Sequence, residues 1–342
     1  MRNANILCLL LALILSGCID QAYTATPTKT PRGPVQQPTS FPTIIATTQA
    51  PTIFPTTEVP TLPTSDITQL VASPSTPGTA TITPNPPTPD PSLPAEHYFM
   101  IRPIPTGWTD YADRTYAYGS TSGGQYRPHT GEEFRNPEST PVVAVGNATV
   151  IHAGDDLARQ FGPNTAFYGI LIVLQMNDFT FNGQPVYALY GHLSKVLVNA
   201  GDAVAVGDVI GEVGQTGIAI GPHLHFEVRV GSPDNYFSST RNPDLWIRPW
   251  GGYGTLAGQA VNATGTFLRE VAITVKGIDG TRYTWSYAGD ENVSDENWHE
   301  NFTLGDLPEG WYTVTTRGGS KIFKQEIYIR SGHTTWLDIE LP

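Results

Sequence analysis

Gly221-Pro222-His223-Leu224-His225-Phe226-Glu227-Val228 alternates in character at every step from His223 onward. Successive side chains on a strand point to opposite faces, so His223, His225 and Glu227 share one face while Leu224, Phe226 and Val228 share the other. The second face is apolar and suits a core. The first holds two imidazoles about 7 Å apart on one rigid strand, a spacing that can address one metal ion, or a metal and its substrate together. Gly221 and Pro222 shape the entry to the strand.

The flanking sequence has the same short-strand character. Val142 to Ile151 and Ile170 to Met176 read as strands, and Asn182-Gly183 is a two-residue hairpin turn leading into a returning strand from Tyr187 to His192. Between Val198 and Gly211 the pairs Gly201-Asp202 and Gly207-Asp208 punctuate tiny strands. No amphipathic helix is apparent. These signals predict an all-β fold: a small β-barrel or sandwich over residues 95–250, its first strand near Tyr98, ending near Trp250 with Gly251-Gly252 as a joint. A second all-β domain is expected over 255–342, with strands at Val271–Val275, Phe302–Leu304, Trp311–Thr316, Phe323–Ile329 and Thr334–Leu341 and a turn at Ile278-Asp279-Gly280. Regular turn spacing over fewer than ~100 residues favours a β-sandwich.

The totals restrict the chemistry. A chain of 342 residues can hold two domains and more. Its net charge of −12 and lack of a basic cluster exclude nucleic acid as the expected partner. The only cysteines are Cys8 and Cys18, so any metal in the folded part must be held by His and carboxylate. Met1 to Gly17, with Arg2 ahead of an apolar run from Ile6 to Leu15, reads as a secretory signal too short to span a bilayer. It ends Leu15-Ser16-Gly17-Cys18, which resembles the lipobox of bacterial lipoproteins. That resemblance implies cleavage before Cys18, lipidation of its sulfur and an extracytoplasmic protein anchored to the membrane. Residues 18–94, rich in Pro, Thr and Ser, cannot bury enough apolar surface to fold and are expected to be a disordered linker. At about 3.1 Å per residue in polyproline II form it would reach on the order of 200 Å.

Three further stretches join the His223–Glu227 strand: Pro128-His129-Thr130-Gly131-Glu132-Glu133-Phe134, Tyr190-Gly191-His192-Leu193-Ser194, and the Gly-Asp-bearing run before Gly211-x-x-Gly214-x-Thr216-Gly217. In this order, over roughly Tyr118 to Val230, they resemble the lysostaphin-type (LytM-like) zinc endopeptidases. The resemblance implies a metallopeptidase fold of the duplicated hybrid motif type, Zn2+ as cofactor and peptidoglycan as substrate. It implies His129, Glu133 and His225 as zinc ligands and His192 and His223 as a catalytic pair. Such a site leaves a fourth zinc position for water, with imidazoles to take a proton and steady an oxyanion. Phe302 to Val314, followed by Ser331-Gly332, resembles carboxypeptidase regulatory-like sandwich modules, which implies an accessory without chemistry of its own.

One departure stands out. That family usually reads His-x-x-x-Asp, whereas this chain has Glu133. A straight strand would set residues four apart at about 13 Å, so a bend is required, and Gly131 is placed to supply an unusual dihedral. Glu132 competes for the ligand role. Glu227 reads either as a carboxylate orienting an imidazole or as a solvated strand-end group. His97, His152, His299 and His333 read as structural or exposed, and Tyr190 as packing. The negative total charge favours a peptide held by hydrogen bonds over charge attraction. Two other functions are weighed. One is a non-catalytic relative that binds the wall or regulates other wall hydrolases, supported only by Glu133. The other is a biotinyl- or lipoyl-type carrier, for which Lys195 lacks the flanking pattern.

Overall fold

The apolar face of the His223–Glu227 strand is met by matching faces on its neighbours, and this builds the first sheet. In the computed structural model, which describes residues 85–342, that sheet has nine strands: β1 (Glu132–Arg135), β2 (Pro141–Val143), β3 (Ala148–Asp155), β4 (Ile170–Met176), β5 (Val186–Val196), β6 (Ala203–Val204), β7 (Val209–Val213), β8 (His223–Val230) and β9 (Thr240–Arg241). Its main path runs β1-β8-β5-β4-β3-β6, with β7 bridging β2 and β5, and β9 on β8. Leu224, Phe226 and Val228 enter a core with Phe134, Ile172, Leu174, Ala188 and Tyr190. The leader, Cys18 and the linker as far as residue 84 lie outside the described residues. Residues 85–94 lie within them: Leu93 packs against the first core, and the Pro87 carbonyl accepts from Arg330 at 2.5 Å.

Turn chemistry fixes the hairpins. Asn182 and Gly183 both have positive φ, 49° and 78°, as a two-residue turn twisted to match its strands requires. The Asp202 and Asp208 carboxylates each accept from the backbone N–H three residues earlier, at Asn199 (2.7 Å) and Ala205 (2.8 Å). Val142 to Ile151 is two strands, β2 and β3, and not one: Gly146-Asn147 turns the chain between them. The only helical elements among the described residues are 3-10 turns at Arg114–Tyr116 and Pro243–Leu245.

The second part comprises β10 (Tyr253–Asn262), β11 (Ala272–Gly277), β12 (Gly280–Trp285), β13 (Phe302–Pro308), β14 (Gly310–Gly318), β15 (Lys321–Ile329) and β16 (Thr334–Leu341). They form a three-stranded sheet, β13-β10-β16, facing a four-stranded sheet, β12-β11-β14-β15, across a second core that includes Leu256, Val275, Phe302, Val314 and Leu337. β10 and β12 escape the sequence reading, because Gly254 and Gly258 interrupt one and the other buries only Thr284.

The two parts share buried contacts. Ala257 and Trp298 belong to the first core. Asp244, in the second 3-10 turn, takes both guanidinium nitrogens of Arg114 at 2.8 Å, the Thr303 hydroxyl at 2.8 Å and the Gly305 N–H at 3.0 Å. A loop between β12 and β13 reaches back to the first sheet, and Glu300 organises it. Its carboxyl accepts from the Tyr287 hydroxyl at 2.8 Å and the Asp295 N–H at 3.0 Å. Burial, reinforced by nearby Asp295, pushes the Glu300 carboxyl up to about 8. The folded chain therefore keeps a proton there that the unfolded chain loses near 4.5, and stability falls as pH rises between those values, by at most ~1.4 kcal/mol per pH unit. Urea midpoints at pH 5 and pH 8 should drop less in Glu300→Gln than in the parent chain.

Candidate active site

Cross-strand register sets the centre. β1 runs antiparallel to β8 with Glu133 directly opposite His225 and Phe134 opposite Leu224. Opposed residues point to the same side, so Glu133 joins the histidine face while Phe134 joins the core. Glu132, one step away, turns to the other face, 3.4 Å from the Tyr118 N–H and 3.5 Å from Arg114. Burial raises its carboxyl to about 8 against the pull of Arg114. It is remote in direction from the histidines and does not compete with Glu133.

His129 reaches the same point from the bend before β1. Its Nε2 lies 2.9 Å from Glu133 Oε1 and 3.2 Å from His225 Nδ1, and the latter two atoms are 3.1 Å apart. Tetrahedral zinc with bonds of about 2.0–2.1 Å needs donor atoms about 3.3 Å apart, so this triangle has the dimensions of a zinc-sized ion. His129, Glu133 and His225 form the one candidate metal-holding group among the described residues. All three are at least nine-tenths buried.

The bend at Gly131 does not rest on an unusual dihedral, since Gly131 is not among the positive-φ residues. Its requirement is space. A Cβ there would lie 2.4 Å from the Phe226 carbonyl oxygen and 2.9 Å from His225 Nε2.

The His225 imidazole is held from behind. His225 Nε2 is 3.0 Å from Glu227 Oε1, which also accepts from the hydroxyls of Tyr168 (2.6 Å) and Thr130 (2.7 Å). Arg229, itself fully buried, donates to the other Glu227 oxygen at 2.6 Å. Glu227 is therefore an interior group and not a solvated strand end. Burial opposes its ionisation, but Arg229 and His225 hold its carboxyl well below the usual range. Burial likewise disfavours charge on His225, yet Glu133 and Glu227 outweigh it and raise the imidazole to about 9. The same paired carboxylates create a field suited to a cation. His129 lacks a partner at Nδ1; instead the Tyr116 ring stacks on it, centroids 4.1 Å apart.

The two remaining histidines stand beside this triangle. His192 has φ of +61°, rare for a residue with a side chain. The cause is a bulge: between Tyr190 and Leu193 the strand β5 carries two residues, Gly191 and His192, opposite the single Leu171 of β4. The bulge turns the ring toward the groove, and its Nδ1 lies 2.8 Å from the Thr216 carbonyl. Burial, with help from His225 and His223, lowers the His192 imidazole to about 3, so it is neutral with Nε2 free to accept a proton. His223 sits 4.9 Å from it, centroid to centroid, with Nδ1 2.8 Å from the Gly221 carbonyl and Nε2 2.8 Å from Glu133 Oε2.

Sequence reasoning missed Tyr116, Tyr168, Thr216 and Arg229. It also missed Asn292, which lies in the β12–β13 loop, and whose side-chain N–H donates to the His129 carbonyl at 2.5 Å. Tyr190, read as packing, is buried, and its hydroxyl accepts the Val145 N–H at 3.0 Å. The site opens on a groove of about 320 Å³ whose rim includes Tyr126, Arg127, Arg135, Phe167, Ile218 and Ile220. The two guanidiniums sit close to carboxylates: Arg135 pairs with Asp113, and Arg127 lies 3.9 Å from Glu291.

Two substitutions probe this support. Gly131→Ala should lower stability by about 1–3 kcal/mol and abolish binding of a divalent ion, followed by thermal unfolding and metal titration. Asn292→Ala should keep the fold but weaken ion affinity about 10-fold, because the His129 backbone loses its brace.

The model of peptidase family M23 matches residues 127–236, a span holding His129, Glu133, His192, His223 and His225. Peptidoglycan DD-endopeptidase ShyA of Vibrio cholerae is 38% identical over 109 residues, 32% of this chain and 22% of that protein. Lysostaphin of Staphylococcus simulans is 32% identical over 155 residues, 44% of this chain and 28% of that protein. Among solved structures, a zinc-containing peptidase from Vibrio cholerae superposes with a TM-score of 0.30 at 29% identity, covering 40% of this chain and 37% of that one. The chain thus spans only about a fifth to a third of the length of the curated relatives it matches. Over residues 127–236 the chain is similar to peptidase family M23.

Proposed function

We propose that this chain is a zinc metalloendopeptidase that hydrolyses peptide bonds of bacterial cell-wall peptidoglycan, in the stem or cross-bridge. The observation that carries the reading is the buried triangle of His129 Nε2, Glu133 Oε1 and His225 Nδ1, with edges of 2.9 to 3.2 Å, flanked by two further imidazoles in one groove. ShyA, a peptidoglycan endopeptidase by name, gives the substrate class. On this reading His129, Glu133 and His225 hold the ion. When bound, zinc lowers the pKa of a water toward neutrality and polarises a peptide carbonyl.

The chain's own groups supply the rest. His192 is kept neutral by burial, and the Thr216 carbonyl fixes which nitrogen carries its proton, so Nε2 is the general base. His223, anchored through Nδ1 on the Gly221 carbonyl, is the second imidazole; its Nε2, on leaving Glu133 Oε2, steadies charge that develops on the carbonyl oxygen. Glu227, fixed by Arg229 and Tyr168, holds the His225 ring so that Nδ1 faces inward. Glu133 gives one oxygen to the ligand triangle and the other to His223, a span its extra methylene makes easy. This placement supports the enzyme over a non-catalytic regulator, since Glu133 was the only feature in the regulator's favour. The exposed apolar rim, Ile218 and Ile220, flanks the path of a bound peptide. In this proposal Cys18 bears the lipid and the following residues form the tether, placing the enzyme in the cell envelope.

Digestion of purified peptidoglycan tests the reading. Soluble fragments should appear with zinc and vanish with chelator. His225→Ala should lose both metal and activity. His192→Ala and His223→Ala should keep bound zinc but lose about 10²- to 10⁴-fold in rate. Fragment release unaffected by chelator and by His225→Ala would sink the metal mechanism.

A further inference from the structure

A second groove, of about 480 Å³, lies where the M23 part meets the β-sandwich. Its walls carry Tyr111, Trp250, Tyr253, Tyr283 and Trp285. Tyr111 and Tyr283 are 56% and 55% exposed, which is unusual for rings with no packing role. Charged groups are set among the rings. Arg282 is held by Asp279 at 2.6 Å, and Asp306 is held by Arg102 and lies 3.8 Å from Arg114. Arg102 also covers one face of Trp250, 3.6 Å from the ring centroid, and Trp250 Nε1 donates to Asp110 at 3.2 Å. Trp250 and these charged groups are thus held in place before any ligand arrives.

Flat aromatic faces beside fixed charged donors and acceptors match the chemistry of a saccharide, whose rings offer C–H faces for stacking and hydroxyls for hydrogen bonds. A purely apolar guest would cover Arg282 and Asp306 while offering nothing to their remaining donors and acceptors. The position matters as much as the lining. Thr115, in the 3-10 turn Arg114–Tyr116, borders both this groove and the catalytic one. A polymer with peptide branches on a sugar backbone can occupy both at once.

We propose that this aromatic groove binds the glycan strand of peptidoglycan while the stem peptide lies across His192 and His223. The inference rests on the peptidase reading above for its choice of sugar polymer. Joining the two sites makes the second contact intramolecular, which raises the effective concentration of peptide at the catalytic groove without any new contact there.

The probes are the N-acetylglucosamine tetramer, which has no peptide, and a cross-linked stem peptide, which has no sugar. Binding of the tetramer to the full chain is followed by tryptophan fluorescence. It should saturate, and Tyr111→Ala and Tyr283→Ala should each weaken it by about 2- to 10-fold, the double variant by the product of the two. Both side chains are more than half exposed, so the variants should retain the parent melting temperature. Cleavage of the free peptide should be unchanged in both, whereas the rate on intact peptidoglycan at low substrate should fall in step with tetramer affinity. Absence of tetramer binding, equal binding by parent and double variant, or an equal fall in free-peptide cleavage would each overturn the proposal. Failure of the peptidase reading shows separately, as no cleavage of either substrate by the parent chain.

Discussion

Antiparallel register between β1 and β8 is the constraint on which the site depends. Strand side chains alternate with a period of two, so a slip of one residue would exchange every face. It would bring Glu132 to the histidines and send Glu133 into the core. What prevents the slip is apolar: Phe134 packs edge-on to Phe226, centroids 6.4 Å apart, and opposes Leu224. The ligand geometry is therefore a by-product of burying those side chains. The hydrophobic side of the sheet sets the position of the polar side.

Interior charge does the complementary work. Glu227 and Arg229 are both fully buried, and a buried ion pair contributes little net stability unless its remaining lone pairs and protons are satisfied. Here Tyr168, Thr130, His225 and the Pro233 carbonyl satisfy them. The return is orientation: a ring that could rotate is pinned with one nitrogen toward Glu133. The bulge at Gly191-His192 serves the same end through the backbone, by turning a ring that strand alternation alone would aim elsewhere.

What the sequence made legible, and what it hid, follows from range. Period-two alternation placed His223, His225 and Glu227 on one face and Leu224, Phe226 and Val228 in a core, and Asn182-Gly183 announced its hairpin, because both signals are local. The all-β class was legible for the same reason. Hidden were features created when distant segments meet. Gly131 is required by the approach of Phe226, nearly a hundred residues later, and not by its own dihedral. Glu227 could be read as solvated because Tyr168 and Arg229 become its partners only in the fold. Arg127 and Arg135 at the groove's rim were not singled out by the sequence reading, and each sits against a carboxylate, Glu291 and Asp113. Asn292 carried no sequence signal at all, for it acts on His129 from the other sheet system.

That last contact changes the standing of the C-terminal sandwich. Its first strand, β10, is paired in parallel with β16, from Thr255↔Thr334 to Asn262↔Leu341. A parallel partner so remote in sequence makes the closing contacts of this module non-local and slow to form. During translation β10 stays unpaired on that side until residues 334–341 have left the ribosome, and the loop bearing Asn292 has no finished framework to hang from. The brace behind His129 is thus among the last parts to be completed. A chain that stops short of residue 334 would hold all five site residues and still lack the finished framework behind His129.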